Sequence, residues 1–327
     1  MTAPIRWGIL GTGSIAKQFA RGLQALDDAR LVAVGSRAAA TAEAFGTEFD
    51  VPRLHASYEA LAADPEVDAI YVATPHPLHR ENAILCLEAG KAVLCEKPFT
   101  INARQAAEVV AVARRKRVFL MEAMWTRFLP IVAQAREWIA SGAVGGLRLV
   151  TADFGFRAGV NPESRLFNPR LGGGALLDVG IYTVSFASMV FGPKPTRIES
   201  MATLGETGVD EQAAVILGYG NGALAALTTA IRTNTPHEAR IIGTDGRILL
   251  HPPYWRGTKA TLQAGGKEET VELPLQGNGY NYEAAEVGRC LRAGELESPV
   301  MTLDDTVAIV GILDAIRAQW GLKYPME

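Results

Sequence analysis

Residues 5–16 read IRWGILGTGSIA, and this stretch decides the fold of the first half of the chain. A short apolar run leads through a G-x-G-x-x-A turn into a helical segment, which is the order that a dinucleotide fingerprint requires. Gly11 permits the tight turn, Gly13 lets the backbone approach a pyrophosphate, and Ala16 is small enough for close helix–strand packing. A second strand is predicted over residues 31–34. The stretch therefore predicts a βαβ unit with a dinucleotide bound at the helix N-terminus.

The end of the predicted second strand indicates which dinucleotide binds. An NAD site usually carries Asp or Glu there to hold the ribose 2′-hydroxyl, but this chain has Ser36 and Arg37. Arg37 can accommodate a 2′-phosphate and Ser36 can donate to it. The alternative interpretation is that Arg37 starts a solvated helix. We predict NADP, with NAD as the alternative cofactor.

Strands alternate with helices up to about residue 121, which predicts a parallel, doubly wound sheet. In such a sheet, ligands bind at the carboxyl ends of the strands. Two loops fall there, one at residues 74–79 and one at Glu96-Lys97-Pro98, where a proline stops a buried strand. The alternative interpretations are an ordinary strand end with solvated Glu96 and Lys97, and a loop histidine at residue 76 whose hydrogen bonds are satisfied within the protein. If they bind ligands, His76 and Lys97 are the candidates with reactive side chains.

The pattern changes after residue 123. Hairpin signals join residues 211–218 to 223–231 and residues 238–243 to 247–250, and Gly265-Gly266 indicates a third hairpin. Sequential hairpins predict a mostly antiparallel sheet with helices on one face. We predict an α/β fold with a Rossmann domain at 1–123 and an α+β substrate and oligomerisation domain at 124–327, its last helix free to pack back on the first domain.

Composition limits the function classes. The chain has 327 residues, 48% hydrophobic and 20% charged, and its 32 Lys+Arg against 35 Asp+Glu give a net charge of -3. This balance argues against nucleic acid or an anionic membrane as partner. Three cysteines without pairing or metal spacing predict a cytoplasmic protein without a metal site. The start, Met1 to Pro4, indicates no signal peptide, and we expect no membrane span.

A glycine-rich segment, residues 171–175, precedes a second candidate group. Asp178 and Tyr182 are four residues apart, so an α-helix would place them on one face, one turn from each other. The alternative interpretation is an acid that favours the helix dipole and a tyrosine that fills the core.

Together, G-x-G-x-x-A at 11–16, Glu96-Lys97-Pro98 and Asp178-x-x-x-Tyr182 resemble the Gfo/Idh/MocA family of pyridine-nucleotide oxidoreductases. The resemblance spans the whole chain in order. Within the family, residues 122–128 (EAMWTRF) are similar to the dihydrodiol dehydrogenase and NADP-dependent D-xylose dehydrogenase branch.

The resemblance implies roles for individual residues. Lys97 would be the catalytic lysine, Tyr182 the general acid/base in a place where many members have histidine, and Asp178 would orient substrate hydroxyls. The implied substrate-binding residues are His76, Trp125, Phe154 and Asp178. The predicted cofactor contacts are Gly11, Gly13, Ser14, Ile15, Ser36, Arg37, Thr74, Pro75, His79, Glu96 and Lys97.

The implied reaction is hydride transfer between a nicotinamide and a secondary alcohol of a sugar, polyol or trans-dihydrodiol. Tyrosine, with a pKa of about 10, is a poor base near neutrality, and a lysine cation at ~4 Å would favour its phenolate by about 4 kcal/mol at an effective dielectric of ~20. A cyclitol or amino-sugar dehydrogenase and a non-catalytic nucleotide sensor are the alternatives. The family also implies a homodimer or homotetramer formed through the C-terminal sheet.

Overall fold

A six-stranded parallel sheet organises the first part of the chain in the computed structural model, which describes residues 3–327. The strand order is β3-β2-β1-β4-β5-β6, the order of a dinucleotide-binding Rossmann sheet. Met1 and Thr2, with which the prediction of no signal peptide begins, lie outside the described residues. The strands are β1 (Ile5–Leu10), β2 (Ala29–Gly35), β3 (Arg53–His55), β4 (Ala69–Val72), β5 (Ala92–Glu96) and β6 (Leu120–Ala123).

Helices connect these strands and bury one apolar face each. The first helix buries Ala16, Phe19, Ala20 and Leu23, a spacing of three and four residues that lines one side of a helix. The helices of this part are α1 (Ser14–Leu23), α2 (Ala39–Phe49), α3 (Tyr58–Ala62), α4 (His79–Glu88) and α5 (Ala103–Lys116). The predicted doubly wound sheet is confirmed.

The described chain forms two compact units. The first contains residues up to Thr100, Arg104–Trp125 and Gln276–Thr306, and the second contains Ile101–Ala103, Thr126–Leu275 and Val307–Glu327. The segment Gln276–Thr306 includes α8 (Tyr280–Ala293), which packs against α1. These units are defined by contacts within the chain, and the two predicted domains, 1–123 and 124–327, stay a prediction.

An eight-stranded sheet organises the second unit, in the order β14-β13-β12-β11-β7-β10-β9-β8. All neighbours pair antiparallel except β7 and β10, which pair parallel. The three predicted hairpins and the mostly antiparallel sheet are confirmed. Strands β3 and β8 were not predicted. The strands are β7 (Leu147–Gly155), β8 (Arg197–Leu204), β9 (Asp210–Gly218), β10 (Leu224–Ala230), β11 (Ala239–Gly243), β12 (Gly246–Leu250), β13 (Lys259–Ala264) and β14 (Lys267–Glu272).

Helices cover one face of this sheet. A π-helical segment, Leu176–Gly180, runs directly into α7 (Ile181–Phe191), and α7 packs against β7 and β10. The other helices are α6 (Pro130–Ala140) and α9 (Leu303–Ala318).

We expected no membrane span, yet one helical stretch, Pro169–Phe191, is long and apolar enough to cross a membrane. Its mean hydropathy is 1.5. In the structure 83% of its most apolar window is buried. Buried core helices can be equally long and apolar, so this stretch gives only weak support for a membrane span.

Candidate active site

The turn after β1 is open to a ligand. Gly11 has φ +106°, and a Cβ there would lie 2.8 Å from the carbonyl oxygen of Ala73, so the position requires glycine. A Cβ on Gly13 would meet nothing within 4 Å. Gly13 is also the N-cap of α1, and no side chain caps this helix. Free backbone N–H groups beside an open glycine fit a pyrophosphate, with Ser14 and Ile15 opening the helix.

The end of β2 carries the two residues predicted to contact a 2′-phosphate. Ser36 is buried, and its hydroxyl lies 2.6 Å from that of Thr41. Arg37 is exposed and takes part in no ion pair within residues 3–327. A free guanidinium at this strand end can hold a phosphate, and no carboxylate stands at residues 35–37 to hold a ribose 2′-hydroxyl.

His79 connects the loops that follow β4 and β5. Its Nδ1 lies 2.9 Å from the carbonyl oxygen of Pro98 and its Nε2 lies 2.8 Å from that of Thr74. The ring is buried, and this burial lowers the pKa of His79. Both ring nitrogens thus face backbone oxygens. The histidine therefore links the two loops at the carboxyl ends of β4 and β5, where a ligand would bind.

The other residues of the first loop lie at the surface of the same edge. Pro75 is exposed, and His76 is half-buried with its ring 5.7 Å from that of His79. The hydroxyl of Thr74 accepts a hydrogen bond from Asn82 at 3.1 Å. The loop therefore has fixed interior residues and an accessible histidine.

Lys97 is half-buried directly after β5, and Glu96 fixes the backbone beneath it. The backbone N–H of Lys97 donates to the Glu96 carboxylate at 3.0 Å, and the hydroxyl of Tyr71 donates to its other oxygen. The carboxylate is 5% exposed. Glu96 therefore acts here as a buried support for the strand end that carries the lysine.

A second buried acid near Glu96 was missed by sequence reasoning. Glu283 of α8 is completely buried, and its carboxyl oxygens make no hydrogen bond to residues 3–327. Burial, and then the charge of Glu96, raises the pKa of Glu283 well above its usual value. Burial thus favours the neutral form of Glu283, and its place inside an amphipathic helix gave no signal in the sequence.

Trp125, predicted to line the substrate pocket, lies just after β6. It is 5% exposed and stacks on Tyr280 with ring centroids 4.4 Å apart. Within the first unit the tryptophan therefore packs against α8.

Asp178 and Tyr182, hereafter the acid–tyrosine pair, lie on the π-helical segment and on α7 respectively, instead of on one regular α-helix. The i→i+5 bonding of a π-helix widens the turn and is frequent at functional sites. Both residues are buried, at 4% and 7% exposure. Asp178 accepts a hydrogen bond from Arg165 at 2.5 Å, and this arginine side chain is 59% exposed. Arg165 was missed as an individual residue, although it lies in the loop 157–172 before the glycine-rich segment.

A group of aromatic rings lies next to Tyr182 in the second unit. Phe154 of β7 lies 5.3 Å from the tyrosine ring and stacks on Trp255 at 3.4 Å with an interplanar angle of 9°. His237 closes the group, 5.6 Å from Phe154 and 4.5 Å from Trp255. Trp255 and His237 were not predicted. Phe154, Trp255 and His237 form an aromatic wall beside the Tyr182 phenol.

The predicted site residues belong to both units. The acid–tyrosine pair and Phe154 belong to the second unit, and Lys97, His76, Trp125 and the dinucleotide turn belong to the first. No group of three or more His, Cys, Asp or Glu suited to a metal ion occurs within residues 3–327.

The strand order and the open glycine turn define the first unit as a dinucleotide-binding Rossmann domain. Residues 5–124 match the oxidoreductase family with an NAD-binding Rossmann fold, and residues 132–249 match the GFO/IDH/MocA C-terminal domain. The chain belongs to the Gfo/Idh/MocA family and is an NAD(P)-dependent dehydrogenase or reductase.

Full-length relatives share this organisation. The chain is 40% identical to trans-1,2-dihydrobenzene-1,2-diol dehydrogenases of Mus musculus and Homo sapiens, over 99% of each chain. It also resembles the crystal structure of an aldose-aldose oxidoreductase from Caulobacter crescentus complexed with glycerol, with a TM-score of 0.89, 26% identity and 98% of both chains covered. A 3-ketoreductase from Actinomadura kijaniata in complex with NADP and TDP-benzene matches with a TM-score of 0.83 and 27% identity, over 96% of this chain and 97% of that one.

Proposed function

We propose that this protein transfers a hydride between NADP(H) and a secondary alcohol or carbonyl of a trans-dihydrodiol, sugar or polyol, with Lys97 and Tyr182 as the catalytic pair. The aromatic wall beside Tyr182 is the observation that supports this best. Phe154 and Trp255 present flat rings, and a cyclic diol has a flat apolar face together with hydroxyls that need polar partners. The 40% identity to dihydrodiol dehydrogenases agrees with that substrate class.

Each proposed residue has one task. In oxidation, the phenolate oxygen of Tyr182 takes the proton that leaves the substrate hydroxyl and becomes a phenol, and in reduction the phenol gives that proton to the carbonyl oxygen and becomes a phenolate. The Lys97 ammonium stabilises the negative charge that develops on this oxygen. Asp178, already paired with Arg165, accepts hydrogen bonds from the neighbouring substrate hydroxyls. The nicotinamide, when bound, accepts or supplies the hydride.

A spectrophotometric screen tests the reaction class. NADP+ and NAD+ reduction is followed with trans-1,2-dihydrobenzene-1,2-diol, aldoses, cyclitols and amino sugars. We expect turnover with the dihydrodiol or an aldose and NADP+. Turnover confined to cyclitols or amino sugars would contradict the substrate class, and dinucleotide binding without turnover of any of them would indicate a sensor.

Arg37 is proposed to hold the 2′-phosphate of NADP. We expect Arg37→Ala to raise the KM for NADP+ about tenfold to a hundredfold, because a charge-assisted hydrogen bond to phosphate contributes about 1.5 to 3 kcal/mol. Steady-state kinetics with each dinucleotide measures this. The KM for NAD+, which lacks that phosphate, is the internal control and should be unchanged. An equal rise for both dinucleotides, or a preference of the original protein for NAD+, would contradict the assignment.

The open face of the second sheet is proposed to pair with a second copy of this chain. Met201 and Ile216 share that face with Leu224 and are 80%, 43% and 47% exposed, more apolar exposure than a solvated strand face needs. We expect Ile216→Lys to convert a homodimer of 35.0 kDa chains into monomers in light scattering. Leu296→Lys, at an exposed leucine of the first unit, is the matched control. A monomeric original protein would contradict this interface.

We also propose a cytoplasmic location. The three cysteines, Cys86, Cys95 and Cys290, are free and buried, as is usual where thiols stay reduced.

A further inference from the structure

Two buried side chains hold the backbone that precedes the acid–tyrosine pair. The Tyr324 hydroxyl donates to the carbonyl oxygen of Gly173 at 2.8 Å. The N–H of Leu176, at the start of the π-helical segment, donates to the Asp210 carboxylate at 2.6 Å. Tyr324 comes from the end of the chain and Asp210 from the start of β9, so two distant segments of the second unit meet at this point.

Gly174 lies between these two bonds and makes the close approach feasible. It has φ +116°, a conformation that residues with a side chain rarely adopt. A Cβ there would lie 2.2 Å from a carboxylate oxygen of Asp210 and 3.4 Å from the Tyr324 hydroxyl. Both side chains therefore use the space that the missing side chain leaves.

The position of Tyr324 is itself fixed. The Arg317 guanidinium lies 5.5 Å from the centre of the tyrosine ring and donates to the carbonyl oxygen of Leu322 at 3.2 Å. The backbone N–H of Tyr324 donates to Glu327 at 3.1 Å, and Glu327 pairs with Arg317. Tyr324 and Arg317 are 3% and 5% exposed. These contacts of Arg317 and Glu327 thus hold the Tyr324 hydroxyl in place.

We propose that Asp210 and Tyr324 are positioning residues, which fix the direction in which the acid–tyrosine pair presents its carboxylate and phenol to the substrate. Leu176 precedes Asp178 by two residues, so a rotation where the helical segment starts displaces both side chains of the pair. A misplacement of about 1 Å in a catalytic group can cost roughly a hundredfold in rate. This inference rests on the proposed function of Tyr182, and it requires no direct contact of Asp210 or Tyr324 with substrate.

Tyr324→Phe tests the hydroxyl, and hydrogen–deuterium exchange of the free protein is the first measurement. We expect faster exchange in the peptide covering residues 173–182, because one of its two anchors is lost. Tyr219→Phe is the matched control, since the buried Tyr219 hydroxyl makes no hydrogen bond within residues 3–327. Unchanged exchange of 173–182 in Tyr324→Phe, or an equal increase in Tyr219→Phe, would overturn the inference.

Kinetics with NADP+ and trans-1,2-dihydrobenzene-1,2-diol supplies the second measurement. We expect Tyr324→Phe to lower kcat about fivefold to tenfold, the size of one hydrogen bond, while the KM for NADP+ changes by less than about twofold. Asp210→Asn, which keeps an oxygen for the Leu176 N–H, should retain more of kcat than Asp210→Ala. Equal losses in both Asp210 variants would overturn the positioning role.

The two proposals can fail separately. Full turnover by Tyr182→Phe would remove the proposed catalytic role and leave the exchange result standing. Unaltered exchange in Tyr324→Phe would remove the positioning role and leave the catalytic assignment standing.

Discussion

Lys97→Met is expected to lower kcat by about 10²- to 10⁴-fold, the range that a positioned proton-transfer or charge-stabilising group contributes. Methionine keeps the unbranched stem but removes the ammonium, so the negative charge that develops on the substrate oxygen loses its partner. The backbone bond from residue 97 to the Glu96 carboxylate does not involve the side chain. We therefore expect the variant to fold, and because Lys97 is also a predicted cofactor contact, its dinucleotide affinity is measured apart from kcat.

Stopped-flow turnover and fluorescence titration with NADPH separate these two effects. Lys91→Met is the matched control, because Lys91 lies just before the amino end of the same strand and its ammonium donates to the carbonyl oxygens of Asp64 and Val67 at 2.6 and 2.8 Å. This control removes a lysine next to the other end of β5 without touching the ligand edge, so its kcat should stay within about twofold of the original.

Tyr182→Phe should show a loss of similar size to that of Lys97→Met, and the double variant should lose little more than either single variant. Residues that act as one unit are strongly non-additive. Near-full turnover in either single variant would exclude the catalytic pair. Fully additive losses would show two independent roles.

The first half of the fold was predictable because each signal is local. Strand, glycine turn and helix follow one another within residues 5–16, and the alternation of periodicities does not depend on distant contacts. In contrast, β8 alternates between exposed and half-buried residues and has no buried face, so it resembles an exposed loop in sequence although Gly205 and Gly208 follow it. Its antiparallel pairing with β9, across the turn at these two glycines, decides its conformation.

The site was predictable only where a motif carries it. Motif residues such as Lys97 lie at strand or helix ends that sequence patterns locate. Trp255 and His237 follow β12 and β10, which lie on opposite sides of β7 in the sheet, with β11 between β12 and β7. This strand order brings the two rings to Phe154 of β7, and no spacing in the sequence encodes it. The π-helical widening at Leu176–Gly180 likewise depends on tertiary support, in which the hydroxyl of Thr229 donates to the carbonyl oxygen of Ala175 at 3.2 Å.

The Asp210→Asn variant is expected to gain stability relative to the original protein as the pH rises. Between low and high pH, the difference between their unfolding free energies should increase by up to about 4 kcal/mol. Burial raises the pKa of Asp210 from 3.8 to about 7, whereas hydrogen bonds from the Leu176 N–H and neighbouring backbone oppose the shift. Three pKa units correspond to about 4 kcal/mol at ~1.36 kcal/mol each. Asparagine has no proton to lose, so the variant lacks this dependence.

Proton binding by Asp210 determines whether the free energy of unfolding rises or falls with pH. Between pH 4 and 7 the folded protein keeps the Asp210 proton that the unfolded chain has lost, so the free energy of unfolding falls as pH rises through this window. Tyr324 is the ionisable group next to the carboxyl, and its pKa is raised well above the usual value by burial and by the charge of Asp210. Arg317 and Glu327 are the other charged groups around the tyrosine, and they pair with each other. Asp210 is therefore the group of this cluster that titrates near neutrality.

Urea unfolding of both proteins from pH 4 to 8 measures the effect. Carboxyls with lowered pKa values, such as Asp68 beside Arg6, change stability in the opposite direction, but they are identical in the two proteins and cancel in the difference. The difference in unfolding free energy should rise with pH and level off above about 7. A difference that stays flat would show that Asp210 is already ionised at pH 4, and the carboxylate would then hold the Leu176 N–H as an anion across the whole range.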